Sequence, residues 1–190
     1  MRDFILFASL LLPLAFAQNW VIDPRHSTAQ FSVRHMVISN VRGEFLKLSG
    51  KATYDPRNLK DANLQATIDV SSITTRDEKR DTHLKSPDFF DAAKFPVITF
   101  MSRGVSKNSA GLSIVGDLTM HGVTKPVTLT VEEPSEEIKD SLGKRRIGAS
   151  AMLKLNRKDF GINYNKVLET GGVIVGDEVS ITLDVQLVKN

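Results

Sequence analysis

With 190 residues and no cysteine, the chain is long enough to bury a core without covalent staples, and it excludes disulfides, thiolate metal sites and a cysteine nucleophile. Its 25 Lys and Arg against 22 Asp and Glu give a net charge of +3 with the two signs interspersed. Even the densest basic run, Lys144-Arg145-Arg146, lies near Glu132-Glu133 and Glu136-Glu137, so it reads as a solvated hairpin and argues against a nucleic-acid partner.

In chain order, residues 4–17 come first. They read FILFASLLLPLAFA, uncharged, preceded by Arg2 and ending in Ala15-Phe16-Ala17. This is the layout of a Sec-type secretory signal peptide, and it is too short to span a bilayer comfortably. Cleavage after Ala17 is expected, leaving residues 18–190 as a single domain that is periplasmic or secreted.

The dominant signal beyond that point is alternation. Ala29, Phe31 and Val33 share one parity, as do Leu46, Leu48, Gly50 and Ala52, and then Leu64, Ala66, Ile68 and Val70. Ile98 and Phe100 follow, then Ile114 to Met120, Val127 to Val131, Ile147 to Leu155 and Val179 to Leu187. Period two predicts strands with one buried face. Turn residues separate them at Asp55-Pro56-Arg57-Asn58, Lys107 to Gly111, His121 to Pro126 and Gly143. Short sequential connections favour antiparallel neighbours. Alternation alone fits a closed barrel and a two-sheet sandwich equally.

One polar helix is predicted over residues 76–85, capped by Thr74 or Thr75, with Thr75 and Glu78 as a capping box and Pro87 as its stop. Only Leu84 is apolar within it, so it belongs on the surface or over a barrel mouth, anchored by Phe89 and Phe90. Asp77, Asp81 and His83 on that helix could form an acid/base group, although a solvated face is the commoner meaning of such charges.

Catalytic signatures are missing. No G-x-S-x-G, G-x-G-x-x-G or P-loop pattern occurs, and Asp159-Phe160-Gly161 matches the kinase tripeptide without the loops that give it meaning. His26, His35, His83 and His121 lack metal-site spacing, so no metal and no cofactor is expected.

A set of segments then carries a resemblance: Asp23-Pro24-Arg25-His26-Ser27, Phe31-Ser32-Val33-Arg34-His35, Val41-Arg42-Gly43-Glu44-Phe45, Arg80 to Asp91, Phe95 to Phe100, Gly116 to Val127, Arg157 to Gly161 and Gly176 to Val179. In order and spacing they resemble the YceI-like family, lipocalin-like polyisoprenoid-binding proteins. The resemblance spans nearly all of residues 18–190. It implies an all-β fold, an elongated eight-stranded antiparallel barrel with one short helix. It also implies an apolar tunnel holding an isoprenoid chain, as in a polyprenyl phosphate or quinone tail, for carriage, storage or sensing. It does not imply catalysis.

The expected tunnel lining is Phe31, Val33, Leu46, Leu48, Ile68, Val70, Ile98, Phe100, Leu118, Met120, Leu129, Leu153, Leu155, Ile181 and Leu183, rich in aliphatic and poor in large aromatic residues. Gly50, Gly116, Ala52, Ala66, Ala149 and Ala151 either leave space along the axis or relieve crowding in a closed, tapering barrel. A polar head group would stay near a mouth, where His35, Arg76, Asp77, His121 and Arg157 are the candidates, the arginines suiting an anionic head. The partner expected is thus an isoprenoid lipid, with transient membrane contact and homodimerisation both compatible with the sequence. Competing readings are an export-associated stress or interaction protein with a side-chain-filled barrel, and an enzyme on an apolar substrate.

Overall fold

The computed structural model describes residues 19–109, 111–167 and 172–190. The expected leader therefore lies outside the described residues. The strands are β1 (Asn19–Ile22), β2 (Thr28–His35), β3 (Ser39–Phe45), β4 (Leu48–Thr53), β5 (Asn63–Asp69), β6 (Ile73–Thr74), β7 (Val97–Asn108), β8 (Gly111–Met120), β9 (Val123–Glu132), β10 (Ile138–Lys139), β11 (Arg145–Asn156) and β12 (Val175–Lys189). A single α-helix, α1 (Glu78–Lys85), stands among the described residues.

Closure decides between barrel and sandwich. Neighbouring strands run β11-β9-β8-β7-β5-β4-β1-β12, and β12 pairs back onto β11 from Asn156↔Glu178 to Arg146↔Val188. All these pairings are antiparallel, so the ring is a closed eight-stranded barrel and has no free edge there to protect. The long β12 carries two partners on its other side. Its end pairs with β1, while Val179 to Asp184 pair with β2, which continues the wall through β3 to β6.

Two short segments break alternation that the sequence suggests is continuous. Between β3 and β4 the chain kinks, with the Leu46 N–H donating to Ser72 O at 3.2 Å and the Lys47 N–H donating to Ser72 Oγ at 3.1 Å. Leu46 consequently points outward, 62% exposed. After β5, Asp69 caps a 3-10 turn over Val70–Ser72 by accepting the Ser71 N–H, and Val70 is buried in the core. Leu46 thus leaves the interior face, and Val70 lies in the core without bordering either chamber.

Helix α1 starts two residues later than expected. Arg76 has φ +62, outside the right-handed helical region, and Asp77 is the N-cap, its carboxylate accepting the Arg80 N–H at 3.1 Å. Thr75 cannot cap because its N–H and hydroxyl both donate to Asp81, at 2.8 and 2.6 Å. Asp81 is thereby a structural acceptor.

The β8–β9 hairpin closes through His121 and Gly122, both with positive φ, the geometry that two-residue hairpins favour. A Cβ on Gly122 would lie 2.5 Å from the Phe95 ring, and that ring meets the His121 ring edge-on at 4.7 Å. The Gly116 to Val127 segment is thus first of all a folding device. Asp159-Phe160-Gly161 has a similar role: Phe160 is buried at the end of a 3-10 turn, and Gly161 leaves that turn with φ +77.

Candidate functional site

The inward-facing parity of β2, β5, β7, β8, β11 and β12 encloses a cavity of about 180 Å³ in the half of the barrel nearest α1. A single water needs roughly 10–15 Å³, so this is a chamber and not a packing defect. Of the expected lining, Phe31, Val33, Leu48, Ile68, Ile98, Phe100, Leu118, Met120, Leu129, Leu153, Leu155, Ile181 and Leu183 all face it. Leu46 and Val70 do not, for the reasons given above.

A second chamber of about 100 Å³ lies deeper, lined among others by Ile22, Ala52, Tyr54, Ala62, Leu112, Ile114, Ala149, Ala151, Val185 and Leu187. Leu48, Leu64, Ala66, Leu129 and Leu183 border both chambers and form a waist between them. The Trp20 indole is buried and donates to Tyr54 O at 3.3 Å, which fixes the far end beside Tyr54.

The small residues divide into two roles. Ala52, Ala66, Ala149 and Ala151 border the chambers. Gly50 and Gly116 do not open the axis: a Cβ on Gly116 would lie 2.4 Å from the Phe100 ring, and one on Gly50 would lie 2.8 Å from Ile22 Cδ1. The aromatic content also differs from expectation, since Phe31, Phe45, Phe89, Phe90 and Phe100 all face the upper chamber. Phe31 contacts Phe45 at 5.9 Å between centroids, and Phe45 contacts Phe90 edge-on at 5.7 Å. Phe31 and Phe100 were expected there, whereas Phe45, Phe89 and Phe90 escaped the parity reading because Phe89 and Phe90 come from a turn and Phe45 stands beside the kink. The pairing of two phenylalanines with an otherwise polar helix was the available signal.

The mouth is covered by α1 and the turn after it, through Leu84, Phe89 and Phe90. His83 packs edge-on against Phe89 and Tyr164, at 5.0 and 4.8 Å, and its Nε2 lies 2.8 Å from Asp88 Oδ2.

Of the five candidate head-group residues, only Arg157 borders the chamber. It is buried, and its donors are already used. Nε donates to Gly176 O, Nη1 to Ile162 O and Tyr164 O, and Nη2 to Val175 O and Asp177 Oδ1. A guanidinium has five N–H groups, so none remains for a ligand. Burial lowers its pKa, and the nearby Asp177 charge opposes that shift. Arg157 is therefore a structural pin, not a head-group contact. The other four lie away from the lining. His121 Nδ1 sits 3.1 Å from Phe160 O, Asp77 caps α1, and Arg76 borders a polar groove of about 430 Å³ on the outer face of β2, β3 and β12. His35 ends β2, opposite Val175.

The far end is tied by ions. Asp23 accepts from Arg146 Nη1 at 2.7 Å and lies 3.0 Å from His26 Nδ1, while Arg146 Nε donates to Asp140 at 2.7 Å. Arg146 first, then His26, hold the Asp23 carboxyl well below the usual carboxylate range. Arg57 likewise draws Asp55 down to about 2. No group of three or more His, Asp or Glu converges as a metal site among the described residues.

A family model described as a YceI-like domain matches residues 20–187. The UPF0312 protein SAS2572 of Staphylococcus aureus (strain MSSA476) is 37% identical over 161 residues, covering 85% of this chain and 92% of the relative. Among solved structures, Burkholderia cenocepacia BcnA is similar with TM-score 0.73 and 25% identity over 87% of this chain and 98% of that one. The Campylobacter jejuni YceI protein is similar with TM-score 0.69 and 27% identity over 100% and 99%. A polyisoprenoid binding domain from Saccharophagus degradans shares the fold, with TM-score 0.64 and 16% identity over 92% and 100%.

Proposed function

We infer that this chain, which belongs to the YceI-like domain family, is an exported lipid-binding protein that holds a long isoprenoid tail along its barrel axis. The observation that carries this reading is the run of hydrocarbon from the mouth beneath Phe89 and Phe90, through the waist at Ala66 and Leu183, to Tyr54. The ligand class comes from the family resemblance, and the geometry suits it. A wall of aliphatic and phenyl groups reads length and width and little else. Each buried methylene contributes about 0.8 kcal/mol, so one five-carbon unit contributes roughly 3–4 kcal/mol before ordering costs.

Two chambers weigh against a side-chain-filled barrel. The lining also weighs against an enzyme. The polar residues bordering the upper chamber are Gln30, Thr99 and Arg157, the last saturated by carbonyls and Asp177, and Thr53, Tyr54 and Asn63 border the lower one. The polar head then stays outside, since burying it unpaired would be costly.

The test is organic extraction and mass spectrometry of the purified protein beside a Leu118→Arg variant, whose guanidinium would enter the upper chamber. Prenyl-type lipid should be recovered with the native protein and lost from the folded variant. Recovery of none from the native protein, after expression in several hosts and incubation with added prenyl lipid, would sink the reading.

A further inference from the structure

The tip of the β2–β3 hairpin is built in an unfavourable way. His35 pairs with Ser39 across a three-residue tip, within which the Ile38 N–H donates to His35 O at 3.2 Å to form a β-turn with Met36 at φ +50 and Val37 at φ +64. Asn and Gly suit both positions, whereas a β-branched residue in the left-handed region is a clear outlier. The turn is held there from outside: Arg34 Nε donates to Val37 O at 3.0 Å, and the Met36 N–H donates to Ile174 O at 2.7 Å. Strain maintained by its surroundings marks a place where something other than folding selects the residues.

What the strain presents is an apolar crest. Val37 is 61% exposed and Ile38 77%, with Met36 beside them. The neighbouring segment adds Val167 at 76% and Val173, which bridge each other, and the Ile174 N–H donates to Lys166 O at 3.0 Å. Other exposed apolar residues, such as Met101, Leu142 and Met152, belong to separate strands and turns, whereas these five lie on two segments joined by the Met36–Ile174 and Ile174–Lys166 backbone bonds. The crest adjoins the tunnel mouth, since His35 pairs with Val175, which lines the upper chamber. Within residues 34–40 and 165–175 the charged and titratable side chains are Arg34, His35, Lys166 and Glu169, two permanent cations against one carboxylate. An exposed apolar patch whose surroundings carry a net positive charge matches the chemistry of an anionic lipid surface.

We propose that this crest docks the protein on an anionic bilayer, with Val37, Ile38 and Val167 entering the acyl boundary and Arg34 and Lys166 at the head groups. The tunnel mouth is then set against the lipid from which a tail is drawn. That purpose rests on the tunnel reading, while the affinity for lipid does not.

The test compares the protein purified after expression of the full chain with a Met36→Asn, Val37→Gly double variant, using sedimentation with phosphatidylglycerol–phosphatidylethanolamine vesicles. The double substitution relieves the backbone strain, so its Tm should rise while its vesicle partition falls at least about tenfold. Tryptophan placed by Ile38→Trp should shift to the blue on adding vesicles. Tryptophan placed by Leu142→Trp, an exposed position in the β10–β11 turn, should not. Leu118→Arg should leave sedimentation unchanged, which separates loss of docking from loss of tail binding. A double variant that sediments like the native protein, a native protein that stays in the supernatant, or equal shifts at both tryptophans would overturn the proposal.

Discussion

Arg157 and Gly116 show how a single side chain can suggest one role from its place in the sequence and take another in the fold. An arginine near a strand end suits an anionic head group, but five carbonyl and carboxylate acceptors surround this one. Its acceptors come from 162–164 and 175–177, so it pins the loop before β12 to the mouth. Lysine keeps the charge but offers three donors from one point, so it cannot meet acceptors arranged around a planar fork. Arg157→Lys should therefore cost on the order of 2–4 kcal/mol of stability. Thermal denaturation measures that loss, and lipid recovered per folded molecule should be unchanged. A variant as stable as the native protein that has lost its lipid would restore the head-group role. Gly116 could be placed on the interior face from sequence, but that the Phe100 ring fills the space it leaves could not, because the ring comes from the facing strand.

At the scale of elements, periodicity identified the strands because each has one wet and one dry face. It failed where two strands join without a change of parity. The kink at Leu46 and the 3-10 turn at Val70 depend on backbone N–H groups donating to Ser72 and Asp69, which are distant in the pattern or silent in it. The start of α1 was displaced for the same reason, since Thr75 was already engaged by Asp81. The far corner is the element-scale feature with a pH signature. Asp23 joins the β1–β2 corner to Arg146 on β11, and Gln186 on β12 accepts from the same guanidinium at 2.8 Å. A carboxyl whose pKa is lowered by folding contributes stability that is complete above its unfolded value, near pH 4, and is lost as pH falls through the folded value. Asp23 and Asp55 are both shifted downward, Asp55 to about 2. Asp23→Asn should thus melt below the native protein at pH 7, with the gap narrowing as pH drops from about 4 toward 2. Melting curves across that range check it, and a constant gap would show that the corner is held by packing rather than charge.

For the whole molecule, closure was the property that alternation could not supply. Sandwich and barrel share one-sided strands, and the distinction lies in whether β12 returns to β11, a pairing across residues 157–174. Once the ring closes, the dry faces meet around an axis, and the remaining question is whether side chains fill it. The waist around Ala66 divides a wider chamber from a narrower one. A tail threaded from the mouth therefore gains contact with each added unit until the far end at Tyr54 is reached. The direct measurement is the Kd for a series of prenyl alcohols of increasing length, on the native protein and on Ala66→Phe. Affinity should rise steeply with each isoprene unit, up to roughly 3–4 kcal/mol gross per unit, and then level off. The variant, its waist blocked, should level off at fewer units. Affinity that is absent, indifferent to length, or unmoved by the block would contradict a tail lying along the barrel axis.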